Sequence, residues 1–165
     1  MENEVLFLDI RLFNHESYMK EALKEAEKAG ERGDLPIGAV IVHEGNIIAR
    51  GSNHIETTNH NTAHAEIDAI NQASSYLRKH ARECVIYSTV EPCVMCLPTI
   101  VMANIRHIVF ATKDHYMDTE SLIESHDYLK KRVHTYIGGI LEEESLKVME
   151  EYNPKAARVV RGEFV

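Results

Sequence analysis

The chain has 165 residues, of which 44% are hydrophobic and 27% are charged, and its formal net charge is −8. That length is typical of one domain, so we expect a single domain over residues 1–165 with a C-terminal tail over residues 153–165. No apolar run approaches the roughly 20 residues of a membrane span, and the acidic excess disfavours a broad nucleic-acid-binding surface. Composition therefore predicts a globular protein without a membrane partner.

Cysteine usage bears on the cellular compartment. Two of the three cysteines, Cys93 and Cys96, form a ligand-like pair, which favours metal binding in a reducing compartment over disulfides. The apolar residues 5–8 are broken off by Asp9 and follow no basic segment, so a signal peptide is not expected. We therefore expect a cytoplasmic protein.

The first half of the chain predicts a helix, a hairpin and a loop. Apolar residues recur at helical spacing over residues 15–30, and Gly33 follows the end of that pattern. Residues 37–42 and 46–49 are two apolar runs joined by a short polar turn, which indicates a β-hairpin. Residues 51–61 are polar and lack a period, so we expect a loop there.

The second half alternates helices and strands. Helices are expected over residues 64–80, 93–103, 118–131 and 142–152, and strands over residues 84–90, 107–111 and 133–137. Ser121 and Glu124 would form a capping box in the third of these helices. Pro98 should bend or loosen the second one near Val94, because it removes a helix hydrogen bond. The alternation predicts a layered α/β domain.

Two short motifs carry side chains suited to metal chemistry. Residues 63–66 read Ala-His-Ala-Glu, and residues 92–96 read Pro-Cys-Val-Met-Cys. Cys93 and Cys96 are three residues apart, so a helix opened by the proline would present both sulfurs on one face. With His64 they supply two thiolates and one imidazole, a ligand set that suits zinc.

Three protein ligands leave the fourth tetrahedral position of zinc for water, as in catalytic sites. The pKa of such a water falls to about 7, so a nucleophile becomes available at neutral pH. This chemistry needs a base that takes the proton and later returns it. Glu66, two residues beyond His64, is the candidate.

His-x-Glu followed by Pro-Cys-x-x-Cys resembles the signature of zinc deaminases. Residues 35–40 (Leu-Pro-Ile-Gly-Ala-Val), 51–53, 62–67 and 89–93 accompany it in this order. On these residues the chain resembles the cytidine-deaminase-like superfamily, in the branch of tRNA wobble-adenosine deaminases, guanine deaminases and fungal-type cytosine deaminases. The resemblance covers residues 18–152.

The resemblance implies a three-layer α-β-α sandwich with a five-stranded mixed sheet, and a homodimer. It implies that His64, Cys93 and Cys96 hold zinc at the starts of two adjacent helices and that Glu66 shuttles protons. Asn53 would hydrogen-bond the substrate. The remaining residues expected to contact substrate are Ala65, through its backbone N–H, Asp114 and Phe164.

The implied reaction is hydrolytic deamination of an aromatic amidine, with release of ammonia and no organic cofactor. A free nucleobase or nucleoside, guanine or cytosine first, is the preferred substrate. The alternative is wobble adenosine in tRNA, which is favoured by the likeness of residues 132–141 to the tRNA enzymes. Two features weigh against this alternative. The net charge is −8, and residues 114–127 contain no glycine, whereas the corresponding region of the tRNA enzymes resembles a glycine-rich loop. A non-catalytic zinc-stabilised binding module is a remote third possibility, because it would need a fourth protein ligand.

The tail is the last feature with a functional expectation. Asn153 and Pro154 should end the last helix, and the residues beyond them include Val159, Val160 and Phe164. Burial of such side chains is worth roughly 1.5–3 kcal/mol each, enough to hold a short tail down. We expect the tail to close over the pocket with Phe164 as its anchor. Alternatively, Phe164 packs on the last helix or on a dimer surface.

Overall fold

The computed structural model describes residues 9–163. At its centre is a five-stranded sheet in the order β2-β1-β3-β4-β5, formed by Gly38–His43, Asn46–Ser52, Val85–Val90, His107–Thr112 and Thr135–Ile137 for β1 to β5. β1 pairs antiparallel with β2 and β3, whereas β3, β4 and β5 run parallel. The predicted five-stranded mixed sheet is thereby confirmed.

Helices cover both faces of the sheet. They are α1 (His15–Arg32), α2 (Ile55–Thr58), α3 (Ala65–Gln72), α4 (Ser74–His80), α5 (Cys96–Met102), α6 (Thr119–Ser125), α7 (Asp127–Arg132), α8 (Glu142–Tyr152) and α9 (Pro154–Val160), with 3-10 turns at Ile10–Leu12 and Ala81–Glu83. Within residues 9–163, no helix has the combination of length and apolar character that crossing a membrane requires.

The pleat of β1 explains the three layers. Ala39 and Ile41 point into a cluster with residues of α3 and α5, whereas Val40 and Val42 point into a cluster with residues of α1. All six residues of β1 are buried, because helices cover both faces of this part of the sheet. A strand buried on both faces has a continuous apolar sequence, as this one does.

Two of the predicted helices are divided. The helix expected over residues 64–80 turns at Ala73, and the one over residues 118–131 turns at His126, whose backbone is extended (φ −125°, ψ 109°). The turn at Ala73 keeps that residue in the same buried cluster as Leu77 of α4. The prediction of a capping box at Ser121 and Glu124 is wrong, because Ser121 lies inside α6, where its hydroxyl donates to the Asp118 carbonyl.

The helix that carries the cysteines begins at Cys96 instead of at residue 93. Val94 and Met95 form a turn before it, in agreement with the loosening expected near Val94. Pro98 is the third residue of α5, and it leaves out one bond, because Leu97 N and Thr99 N donate to the carbonyls of Cys93 and Met95 while the Val94 carbonyl receives no N–H from the proline. The missing bond falls in the first turn of the helix, where proline is tolerated. The proline is therefore accommodated without an interrupted helix.

The predicted loop over residues 51–61 is shorter than expected, because β2 continues to Ser52 and α2 follows. Gly51 explains the tight arrangement. A Cβ at this position would overlap the Ala65 carbonyl and lie 2.6 Å from the Ala69 nitrogen, so only glycine lets α3 approach β2 this closely. The start of α3 is thereby fixed against the sheet.

The end of α8 at Tyr152 agrees with the prediction, but the tail is helical. The Asn153 side chain accepts a hydrogen bond from Ala156 N at 3.0 Å, and Pro154 occupies the first position of α9. At the end of α9, the Val160 carbonyl accepts from His115 N at 2.9 Å, which ties the tail to the loop after β4. Phe164, the expected anchor, lies outside the described residues.

Candidate active site

The ends of two helices bring the metal-binding motifs together. His64 caps the N-terminus of α3, and Cys93 and Cys96 lie just before and at the start of α5. His64 Nδ1 is 3.5 Å from Cys93 Sγ and 3.3 Å from Cys96 Sγ. Residues 29 positions apart in the chain therefore converge on one point.

Local hydrogen bonds favour a thiolate here. The pKa of Cys93 is lowered to about 4, because the Cys96 thiol and His64 hydrogen-bond its sulfur and backbone N–H groups point at it. One of these is Cys96 N, which donates to Cys93 Sγ at 3.4 Å. The pKa of Cys96 is raised by its hydrogen bond to Cys93 and by burial, while that of His64 is raised chiefly by its bond to Cys93.

The three donors fit zinc. Tetrahedral zinc with typical bond lengths to sulfur and nitrogen places neighbouring ligand atoms about 3.5 Å apart, close to the nitrogen–sulfur distances of 3.3 and 3.5 Å. Among residues 9–163, no further His, Cys, Asp or Glu joins this group of three. A catalytic zinc site has three protein ligands, whereas a purely structural site has four.

Glu66 lies beside this group in a fully buried position. Its Oε2 is 3.4 Å from Cys96 Sγ, and its Oε1 accepts a hydrogen bond from Ser88 Oγ at 3.1 Å. Burial raises the pKa of the carboxyl group above its ordinary value, because the charged form loses its water. A carboxyl group whose pKa is raised binds a proton more readily, which suits a group that must receive a proton and later return it.

A cavity of about 380 Å³ opens on these residues. The residues that line it include His64, Ala65, Glu66 and Cys93, together with Asn53. The walls are largely apolar, with Leu35, Ile37, Val90, Met149, Val159 and Val160 among them. The volume and lining suit one flat heterocycle that is largely shielded from water.

Asn53 is held by a network on the loop after β2. Its backbone carbonyl accepts from Arg32 Nη2 at 2.8 Å, and its Oδ1 accepts from Ile55 N at 3.0 Å. Arg32 also donates to Asp34, whose buried carboxylate binds the N–H groups of α2. The oxygen of the Asn53 amide is therefore engaged, which leaves its NH2 group to donate to a ligand.

The other expected substrate contacts are only partly suited to that role. Ala65 lines the cavity as the first residue of α3. Asp114 also lines it, but its Oδ1 accepts from the backbone N–H groups of Tyr116 and Met117 at 2.9 and 3.1 Å. Asp114 thus shapes its own loop as well as facing the cavity. Phe164 lies outside the described residues, so its role stays a prediction.

Sequence reasoning missed the buried carboxylate of Glu91. Its Oε1 accepts from Tyr136 Oη at 2.6 Å and its Oε2 accepts from Asp114 N at 2.9 Å, so it joins β5 to the loop after β4 beside the cavity. Its place in the motif, two residues before Cys93, was the available signal. Asp34 was missed as well, and its sequence signal was weaker, because an acidic residue in a turn bounded by glycine and proline is usually solvated.

Comparison with known proteins places the chain among deaminases. The family model for the MafB19-like deaminase matches residues 13–143. The tRNA-specific adenosine deaminase of Bacillus subtilis is 46% identical over 100 residues, which cover 60% of this chain and 62% of that protein. The chain thus matches less than two thirds of the length of this relative.

Two solved structures extend the comparison. One, from a study of A-to-I editing by tRNA:A34 deaminases at the wobble position, has a TM-score of 0.72 and 36% identity, and covers 80% of this chain and 98% of that chain. The X-ray structure of guanine deaminase from Bacillus subtilis has a TM-score of 0.57 and 38% identity, and covers 67% of this chain and 70% of that chain.

Proposed function

Because this chain belongs to the MafB19-like deaminase family, we propose that it is a zinc-dependent hydrolytic deaminase whose substrate is an adenosine in tRNA. The observation that carries the proposal is the buried Glu66 carboxyl group, which lies 3.4 Å from Cys96 Sγ and lines a largely apolar cavity. A proton carrier next to three metal ligands and a shielded cavity is what hydrolysis of an aromatic amidine requires.

His64, Cys93 and Cys96 would hold the metal, which when bound would supply the Lewis acid that makes water nucleophilic at neutral pH. Ser88 occupies Oε1 of Glu66, so Oε2, on the side of the metal ligands, is the oxygen that moves protons. Glu66 takes the proton of the attacking water, delivers it to the ring nitrogen and then protonates the departing amine.

Asn53 orients the ring. Because its Oδ1 is engaged by Ile55 N, its NH2 group donates to an acceptor on the ring edge. The apolar walls exclude bulk water, which strengthens these electrostatic contacts. Ammonia leaves, and the amino-bearing carbon carries oxygen in the product.

The relatives favour tRNA over a free base, which reverses the preference drawn from the acidic composition. One local observation agrees with them. Lys155 lines the cavity, and none of the ion pairs within residues 9–163 involves it, so its charge is available for a phosphate. Lysine is a point charge well suited to an RNA backbone.

Free guanine is the second candidate. It is supported by α9, whose Ala156, Val159 and Val160 line the cavity and narrow the approach for a polynucleotide. The similarity to a guanine deaminase supports it as well.

A substrate panel separates the candidates. The zinc-loaded chain is incubated with a stem-loop that carries adenosine at the wobble position, and separately with guanine, cytosine, adenine and their nucleosides, and ammonia and product bases are measured. We expect inosine in the stem-loop. Release of ammonia from guanine alone would support the second candidate, and inertness toward the whole panel would contradict deamination. The homodimer and the cytoplasmic location stay predictions.

A further inference from the structure

A second cluster of metal-binding side chains lies at the opposite end of β1. His43 is the last residue of this strand, His80 is the last residue of α4, and Glu83 is the last residue of the 3-10 turn Ala81–Glu83. The catalytic cavity touches Ile37, at the other end of β1. Six strand residues span about 17 Å, so the two clusters are separate.

The donor atoms of the second cluster are close together. Those of His43, His80 and Glu83 all lie within 4.8 Å of one another, and His43 Nε2 is 2.9 Å from Glu83 Oε2. The rings of His43 and His80 are tilted by 32° with centroids 5.0 Å apart. Within residues 9–163, the catalytic trio and this trio are the groups that reach such proximity.

The other ring nitrogen of His43 also has a hydrogen-bond partner. Its Nδ1 lies 2.6 Å from the Tyr76 hydroxyl. Without a metal, Nε2 donates its proton to Glu83 Oε2, and a metal ion would replace that proton. The proton of the ring would then reside on Nδ1, where the Tyr76 oxygen accepts it. Histidines that bind metals have this kind of partner on the other ring nitrogen, which fixes the tautomer and the ring orientation.

The donors of the second cluster differ in solvent exposure. The His43 side chain is 4% exposed, whereas the Glu83 side chain is 59% exposed. A rigid buried ligand at the base and a solvent-accessible carboxylate at the rim leave an entry path for an ion.

We propose that His43, His80 and Glu83 form a second site for a divalent transition-metal ion such as Zn²⁺ or Co²⁺. Two imidazoles and one carboxylate match these borderline ions, whereas Mg²⁺ and Ca²⁺ prefer oxygen ligands alone. The ion would be held by His43 Nε2, a ring nitrogen of His80 and a carboxylate oxygen of Glu83. It ties the end of β1 to the connection between α4 and β3.

Metal counting tests the proposal on the full, tag-free chain. Equilibrium dialysis against micromolar Zn²⁺ and then metal analysis should give two equivalents for the wild type. Glu83→Gln and His80→Gln should each retain one, and Cys93→Ser should retain the far-end one. Tyr76→Phe should weaken the second equivalent about ten- to a hundredfold. His126→Gln, an exposed histidine outside the cluster, should keep both.

Glu83 is a surface residue, so its substitution leaves folding intact, and a melting curve without metal checks this. Bound Co²⁺ gives an independent readout, since only the cysteine site produces thiolate charge-transfer absorption. A single equivalent in the wild type that disappears in Cys93→Ser would overturn the proposal. So would two equivalents that persist in both Glu83→Gln and His80→Gln, or loss of the second one in His126→Gln.

Discussion

The two ends of β1 carry similar donor atoms in different settings. The catalytic end consists of Glu66 and the proposed metal ligands His64, Cys93 and Cys96. The far end consists of the trio His43, His80 and Glu83. At the catalytic end, a buried carboxyl group and an apolar cavity accompany the ligands. At the far end, the carboxylate is 59% exposed and itself a ligand candidate. The comparison separates two requirements, because ligand geometry is enough for the proposed metal binding at the far end, while catalysis also needs a buried proton carrier and a shielded space.

The largest expected effect concerns the proton carrier. Glu66→Gln should lower kcat by about 10²–10⁴-fold, because general acid–base catalysis contributes that much, while the zinc content stays near that of the wild type. Ser88→Ala, which removes only the hydrogen bond to Glu66 Oε1, should cause a smaller loss. Steady-state kinetics with metal analysis measures both. Loss of the metal with Glu66 would make this residue a ligand and contradict the assignment.

Acid should lower the free energy of unfolding through His107, the first residue of β4. Burial, with a smaller contribution from His134, lowers the pKa of His107 to about 4. Between about pH 6.5 and pH 4, the unfolded chain therefore binds a proton that the folded chain does not, so the unfolding free energy falls as the pH falls. The loss should reach up to about 3 kcal/mol.

Urea unfolding of the wild type and of His107→Gln at a series of pH values isolates this contribution. Other groups titrate in both proteins, so the difference between the two curves reports on His107. The variant should show a flatter pH dependence between about pH 6.5 and pH 4. Parallel curves would mean that burial does not control the proton of His107.

The close approach of α3 to the sheet should be sensitive to one methyl group. Gly51→Ala should cost about 1–3 kcal/mol of stability, because its Cβ overlaps the Ala65 carbonyl, and it should also lower kcat by displacing Glu66. Gly139→Ala is the control, since its φ of +87° strains the substitution but no atom crowds it within 4 Å. The control should lose stability only. An unchanged kcat in Gly51→Ala would separate the helix position from catalysis.

The smallest effect concerns the substrate. Lys155→Glu should lower kcat/KM for the RNA stem-loop several-fold to about tenfold and reduce its salt dependence, while turnover of a free nucleoside changes little. Lys20→Glu, on the exposed face of α1, carries the same charge change away from the cavity. Equal effects of both variants would indicate a general charge effect instead of a contact at the cavity.

The sequence predicts most of what is local and periodic. The five-stranded mixed sheet followed from a family likeness, and the helix and strand positions followed from apolar periodicity. The breaks at Ala73 and His126 depend on packing that no local sequence pattern indicates. The contacts of the catalytic trio were readable because its residues lie in two short motifs. The far-end trio was not, because His43 stands about forty residues from its partners and three separate elements bring them together.

The contacts of Glu91 and Asn53 could be predicted from the sequence only in part. Their positions in or near the motifs were visible, but the partners that use up their oxygen atoms come from β5 and from α2. Hydrogen-bond saturation is a property of the folded chain, so the donor role of the Asn53 amide could be assigned only from the structure.

The central claim is tested most directly by following the oxygen atom. The zinc-loaded chain is incubated with the wobble-adenosine stem-loop in water enriched in the heavy oxygen isotope, and the digested nucleosides are analysed by mass spectrometry. We predict inosine that carries one heavy oxygen atom, formed by the wild type and not by Glu66→Gln. Adenosine left intact by a fully zinc-loaded protein, or inosine formed equally well by Glu66→Gln, would contradict the account.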